Sequence, residues 1–152
     1  MKKLIIFFIL LFYSNSFYSQ LNYNNLIKIA NAKIENIEMF MMDNFGMKKI
    51  EDTSNGVSID KKFISIYGNI EDTIAISISN DGKHNQNILS VVLGKNIEIS
   101  SFKSQLIQNG FFYKGEFNYG NTYIGDSFVI IINHLNDSIN YKITVIPKSY
   151  RD

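Results

Sequence analysis

The chain has no cysteine and no tryptophan, and it has one proline, Pro147, and two histidines in 152 residues. The lack of cysteine excludes disulfides, thiolate metal sites, cysteine nucleophiles and a lipid attached at a cut-site thiol. Small exported domains often rely on disulfides; this chain must rely on packing, and it is rich in Ile, Phe and Tyr for that purpose. There is also no excess of either charge. Fifteen basic residues face 14 acidic ones, and setting aside Lys2 and Lys3 leaves 13 against 14, a net of −1. Nucleic acid and anionic membrane surfaces call for a basic patch or stripe, and none is visible here.

The first residues have a character of their own. Met1-Lys2-Lys3 is a short positive end, Leu4–Tyr13 is ten residues without a charge, and Ser14, Asn15, Ser16, Ser19 and Gln20 follow. A positive end, a short apolar core and a small-residue exit are the three parts of a secretory signal. A membrane span needs about 20 apolar residues, roughly twice this run. Residues 1–20 are therefore expected to be a signal peptide, cut between 16 and 20, with Ser14-Asn15-Ser16 the best small-x-small match. The expected address is secreted or periplasmic, with no stable membrane span after cleavage. Residues 21–152 then form one domain of ordinary size, long enough to bury a core without staples.

With a single proline, glycine punctuates the chain. Gly46, Gly56, Gly68, Gly82, Gly94 and Gly110 fall at 10–16 residue intervals between periodic segments. Ile27, Ala30, Ile34, Ile37 and Met41 recur with 3-4-3-4 spacing, so Asn24–Asn44 reads as one helix with Gly46 as its left-handed cap. A shorter helix is expected from Ser101 to Gln108, ended by Asn109-Gly110. Thr73–Ser79 and Ile139–Ile146 alternate apolar with polar residues and read as half-buried strands. Phe128–Ile132 is apolar throughout, as a central strand would be, and Met47–Asp52, Val57–Tyr67, Ile88–Leu93 and Phe111–Phe117 are further strands. Gly120–Ser127, with two glycines but no Gly-Lys-Ser/Thr ending, reads as a hairpin turn and not as a phosphate-binding loop.

A shift of 65 residues lays Lys62–Asn69 on Ser127–His134 and Glu71–Ser79 on Asn136–Thr144, with Phe63/Phe128, Ile66/Ile131, Asp72/Asp137, Ile74/Ile139 and Ile78/Ile143 identical. A shift of 64 puts Gly46 on Gly110. The expected fold is therefore α+β: two helix-plus-antiparallel-strand units, 24–95 and 96–147, sharing one antiparallel sheet with the helices on one face. The other face would carry Thr73, Ser77, Ser79, Asn140, Lys142 and Thr144. This tandem layout resembles that of exported inhibitor proteins such as the β-lactamase inhibitor protein; the likeness lies in architecture, and no residue role is carried over from it.

No catalytic or metal constellation is evident. His84 sits in a polar turn and His134 ends the strand Phe128–Asn133, with Asp126 and Asp137 near in sequence; this falls short of a metal ligand set, so no metal and no cofactor is expected. No serine stands in a nucleophile elbow. Pairs such as Glu51-Asp52 and Glu71-Asp72 point to opposite faces of a strand and cannot flank one bond without a bulge. Met39, Met41, Met42 and Met47 cluster at the end of the first helix, where core filling explains them better than copper binding. Phe111, Phe112, Tyr113, Phe117, Tyr119 and Tyr123 mark either a partner surface or cross-strand packing, and strand alternation accounts for half of them.

What remains is a small exported binding protein, more readily non-catalytic than an enzyme, whose open sheet face holds another protein or a cell-surface component. Its candidate binding residues are Tyr113, Tyr119, Tyr123, Asp126 and His134. The alternative is a periplasmic small-ligand carrier or a cone-shaped enzyme, which requires His134, Asp126 and Tyr123 to converge on one cavity of at least about 300 Å³.

Overall fold

The computed structural model describes residues 22–55, 57–65, 74–94, 99–117, 120–135 and 141–150. The export segment, Tyr119, Thr73 and Asn140 lie outside the described residues, as does much of the shifted match, Ile66, Asp72, Asp137 and Ile139 included. No described helix is long and apolar enough to cross a membrane.

The fold is α+β, with three helices and one open antiparallel sheet of eight strands among the described residues. Helix α1 (Tyr23–Asn31) leads through a 3-10 turn (Ile34–Asn36) into α2 (Ile37–Phe45). Strands β1 (Met47–Ser54), β2 (Ile59–Ser65), β3 (Ile74–Asn80) and β4 (Ile88–Leu93) follow. Then come α3 (Ile99–Gln108), β5 (Phe112–Phe117), β6 (Gly120–Ile124), β7 (Phe128–His134) and β8 (Tyr141–Pro147), with a closing 3-10 turn at Lys148–Tyr150. The spatial order is β1-β2-β3-β4-β8-β7-β6-β5, so each helical segment precedes a four-strand meander and the meanders meet where β4 pairs with β8.

The long helix expected over Asn24–Asn44 is in fact two. The chain turns extended at Ala32 (φ −71°, ψ 144°) before the 3-10 turn begins. The apolar stripe survives the break because Ala30, Ile34, Ile37 and Met41 still face the core. Asn22 caps the start of α1 by accepting from the Asn25 amide at 2.8 Å. Gly46 (φ 59°) ends α2 in the left-handed conformation, its N–H reaching the carbonyls of Met41 and Met42. Gly120–Ile124, expected as a turn, is a strand, since its backbone groups find partners on β5 and on apolar β7. The 65-residue shift lays β3 on β8 and part of β2 on β7, one strand out of step with the count from each helical segment. The two halves share an order of elements, and the residue match runs across that order.

All three helices pack on one face. Ile74, Ile76 and Ile78 of β3, Leu89, Val91 and Leu93 of β4, Ile143 and Val145 of β8, and Phe128, Ile130 and Ile132 of β7 meet Leu26 and Ile29 of α1, Ile37 and Met41 of α2, and Phe102 and Leu106 of α3 in a single core. Both edge strands carry a bulge, at Lys49/Glu51 in β1 and at Tyr113/Gly115 in β5. Edge β1 is further studded with ion pairs: Lys49 to Glu38 and to Asp52, Lys61 to Asp52, and Lys62 to Glu51. Such exposed pairs stabilise little, but bulges and charge keep an edge from templating another chain.

Candidate functional site

Strand register fixes what lies on the face away from the helices. One row across the sheet runs Glu51, Lys62, Ser77, Ser90, Thr144, Ile131, Thr122 and Gly115, from β1 to β5 in spatial order. A neighbouring row holds Ala75, Val92, Lys142 and Asn133, and the row on the other side begins with Thr53, Asp60 and Ser79 and passes to Val129 and Ile124 and on to exposed Phe112. The centre of this face is small and hydroxyl-bearing, one flank is charged and the other aliphatic. Ser77, Ser79, Ser90, Lys142 and Thr144 are half-buried. Seven inter-strand spacings make it about 34 Å wide and six or seven residues make it about 20 Å tall, near 700 Å² in projection. One partner's share of a standard protein–protein interface is about 800 Å².

The five candidate residues do not form one cluster. Tyr113 and Tyr123 are cross-strand neighbours with ring centroids 5.4 Å apart, and Tyr113 donates its hydroxyl proton to Asn121 Oδ1 at 3.0 Å. Both lie on the helix side of the sheet, Tyr123 buried and Tyr113 half exposed. Burial, and then the neighbouring Tyr113, push the Tyr123 hydroxyl up from its ordinary pKa. Asp126 is exposed in the turn before β7, whereas His134 ends β7, edge-on to Tyr141 at 5.0 Å. The six residue steps of β7 between those ends span about 20 Å, so Asp126 and His134 do not share a cavity. The methionines also diverge: Met41 and Met47 are core residues, while Met39 and Met42 face out. Among the described residues no group of three or more His, Cys, Asp or Glu is placed to hold a metal.

A polar assembly that sequence reading missed sits on the β3–β4 turn. Asn80 and Asn87 are its buried anchors. Asn80 Nδ2 donates to the carbonyls of His84 and Gln86 and to Asn87 Oδ1, and Asn80 Oδ1 accepts from the Gly82 amide. Asn87 in turn donates to the carbonyls of Ile29 and Ala32, and its amide to that of Ala30, so it serves α1 as a C-cap supplied from 55 or more residues away. On this frame Asp81 holds His84 Nδ1 at 2.9–3.0 Å and also accepts from the amides of Lys83 and His84. The His84 ring stacks on Tyr150 at 4.1 Å, and the Tyr150 hydroxyl donates to the Gln86 carbonyl at 2.7 Å. No local signal foretold this, because Tyr150 and Ala32 reach the turn from far along the chain.

Desolvation opposes the Asp81 charge, yet the hydrogen bonds from the His84 ring and from the Lys83 and His84 amides together hold its carboxyl below the ordinary range. A carboxyl depressed on folding contributes stability above its unfolded pKa and loses it as pH falls through the folded value. Stability of the wild type, read by urea denaturation, should therefore fall as pH drops below about 4, and Asp81→Asn should flatten part of that slope. An unchanged acid slope in the variant would show that Asp81 contributes nothing to it.

No protein-family model, no curated protein and no solved structure matches the chain.

Proposed function

We propose that the chain is an exported, non-catalytic binding protein that holds another protein, or a cell-surface component, against the open face of its sheet. One observation carries the reading: a face of interface size, small and hydroxyl-bearing at its centre, on which none of the three helices packs. Serine and threonine in the middle strands let a partner's backbone or side chains approach closely and offer both donors and acceptors. The aliphatic flank at Ile124 and exposed Phe112 supplies apolar area, and the charged flank at Glu51, Asp60 and Lys62 supplies orientation. Lys2, Lys3 and the uncharged run Leu4–Tyr13, read as an export signal, support an encounter outside the cytoplasm.

The test begins with photo-crosslinking residues placed at Ser77, Ser90 and, as a control on the helix side, Met39. A partner should be captured from the first two positions and not from the third. Ser90→Arg, made in the purified complex, should weaken binding at least tenfold, since it buries a bulky unpaired charge at the centre. The melting temperature should stay within a few degrees, because the substitution lies on a half-buried surface. Capture from Met39 alone, or full affinity in Ser90→Arg, would discard the reading.

A further inference from the structure

The same Asn80–Asn87 frame borders a depression of about 680 Å³, walled on one side by Asn31, Lys33, Ile34 and Glu35 and on the other by Asn80, Gly82, His84 and Asn85. Its size falls within the range of small-molecule sites, roughly 300–1,000 Å³. Its lining is unlike the open sheet face: amide side chains, one carboxylate and one ammonium, around a single aliphatic residue.

We propose that this depression binds a neutral polyhydroxylated molecule, a mono- or disaccharide, at a site separate from the open face of the sheet. Three features lead there. The charges of Lys33 and Glu35 cancel, so a ligand of either sign meets a like charge as well as an opposite one, whereas a neutral ligand meets neither penalty. Asparagine amides and a carboxylate present donors and acceptors side by side, and a sugar hydroxyl is both. Ionised Asp81 only accepts, so the His84 nitrogen facing it must carry a proton, and the second ring nitrogen is left for a sugar hydroxyl, which can serve as its donor or its acceptor. The walls are also fixed beforehand. Asn80 and Asn87 tie the turn to α1, the Tyr150 ring backs His84, and Gln86 donates to Asn31 Oδ1 at 2.8 Å, so little ordering is left for a ligand to impose.

Amide and imidazole NMR spectra of the mature chain test this with a panel of glucose, galactose, mannose, N-acetylglucosamine, maltose and lactose, with glucuronate and glycine as the charged and zwitterionic arms. At least one neutral sugar should move the amides of 31–35 and 82–85 and the His84 ring in a saturable way. Asn85→Ala and Glu35→Ala, both exposed positions, should each weaken that binding at least fivefold with the rest of the spectrum unchanged. Silence across the six sugars up to 50 mM (a ceiling set by the weak, about millimolar, end of specific affinity) overturns the proposal. So does saturation by glycine or glucuronate alone, or unaltered affinity in both variants. None of these outcomes touches the cross-linking result on the sheet face.

Discussion

Asn87→Ala should cost about 3 kcal/mol or more, measured by urea denaturation, although it removes only one small polar side chain. The site is fully buried. The substitution deletes three hydrogen bonds: those to the Ile29 and Ala32 carbonyls and the one from Asn80 Nδ2. Each is worth about 1 kcal/mol net, and buried groups left without a partner cost more. The Ile29 carbonyl keeps the Ala32 amide at 3.2 Å, and Asn80 Nδ2 keeps the carbonyls of His84 and Gln86, so the heaviest loss falls on the Ala32 carbonyl. Asn87→Asp sharpens the test. It keeps the shape and the acceptor but swaps the amide donor for a carboxylate facing two carbonyls, so it should match or exceed the alanine loss at pH 7 and recover part of it in acid. A loss below about 1 kcal/mol for both variants, the range of an ordinary exposed substitution, would mean that α1 is held to the turn by its apolar face alone.

The second large effect is expected at Gly120, which starts β6 with φ 110°. A Cβ there would stand 2.5 Å from the Ile132 carbonyl oxygen and closer still to Asn133 Oδ1. The asparagine can move aside, but the carbonyl belongs to the β6–β7 ladder and cannot. Gly120→Ala should therefore combine left-handed strain with a backbone clash, about 2–4 kcal/mol in all. Gly82→Ala is the control: φ is 71°, and nothing lies within 4 Å of its added methyl, so only the strain of about 1–2 kcal/mol remains. Equal losses at the two sites, read from the same thermal and urea transitions, would remove the clash from the explanation.

These two residues also show where sequence reading stopped. Alternation in Ile74–Asn80 and Tyr141–Pro147 revealed both the strands and their buried faces, because side chains on a strand obey a period of two whatever they pair with. Of the stripe, Ala30, Ile34, Ile37 and Met41 are buried and Ile27 is partly buried against the core, yet the stripe concealed the end of α1 at Ala32, since the 3-10 turn brings the pattern back in phase. The cap that makes this break tolerable comes from Asn87, and no local pattern reports a partner 55 residues away. Gly120–Ile124 looked like a turn because Gly120 and Asn121 open it and Gly125 follows it; two flanking strands overrule that propensity. On the functional side, the hydroxyl-bearing face could be read from Ser77, Ser79 and Thr144, whereas the His84 assembly could not, because it exists only once Tyr150 is brought against the turn.

The seam between β4 and β8 has a consequence for how the chain is made. Strand β8, synthesised after the other seven described strands, lies at the middle of the sheet and not at its rim. Until it arrives, β4 and β7 each show a bare inner border, Leu89–Val91–Leu93 on one and Phe128–Ile130–Ile132 on the other, and neither has the bulges or lysines that protect β1 and β5. A nascent polypeptide stalled before Tyr141 would thus hold two sticky half-sheets, the form most prone to self-association.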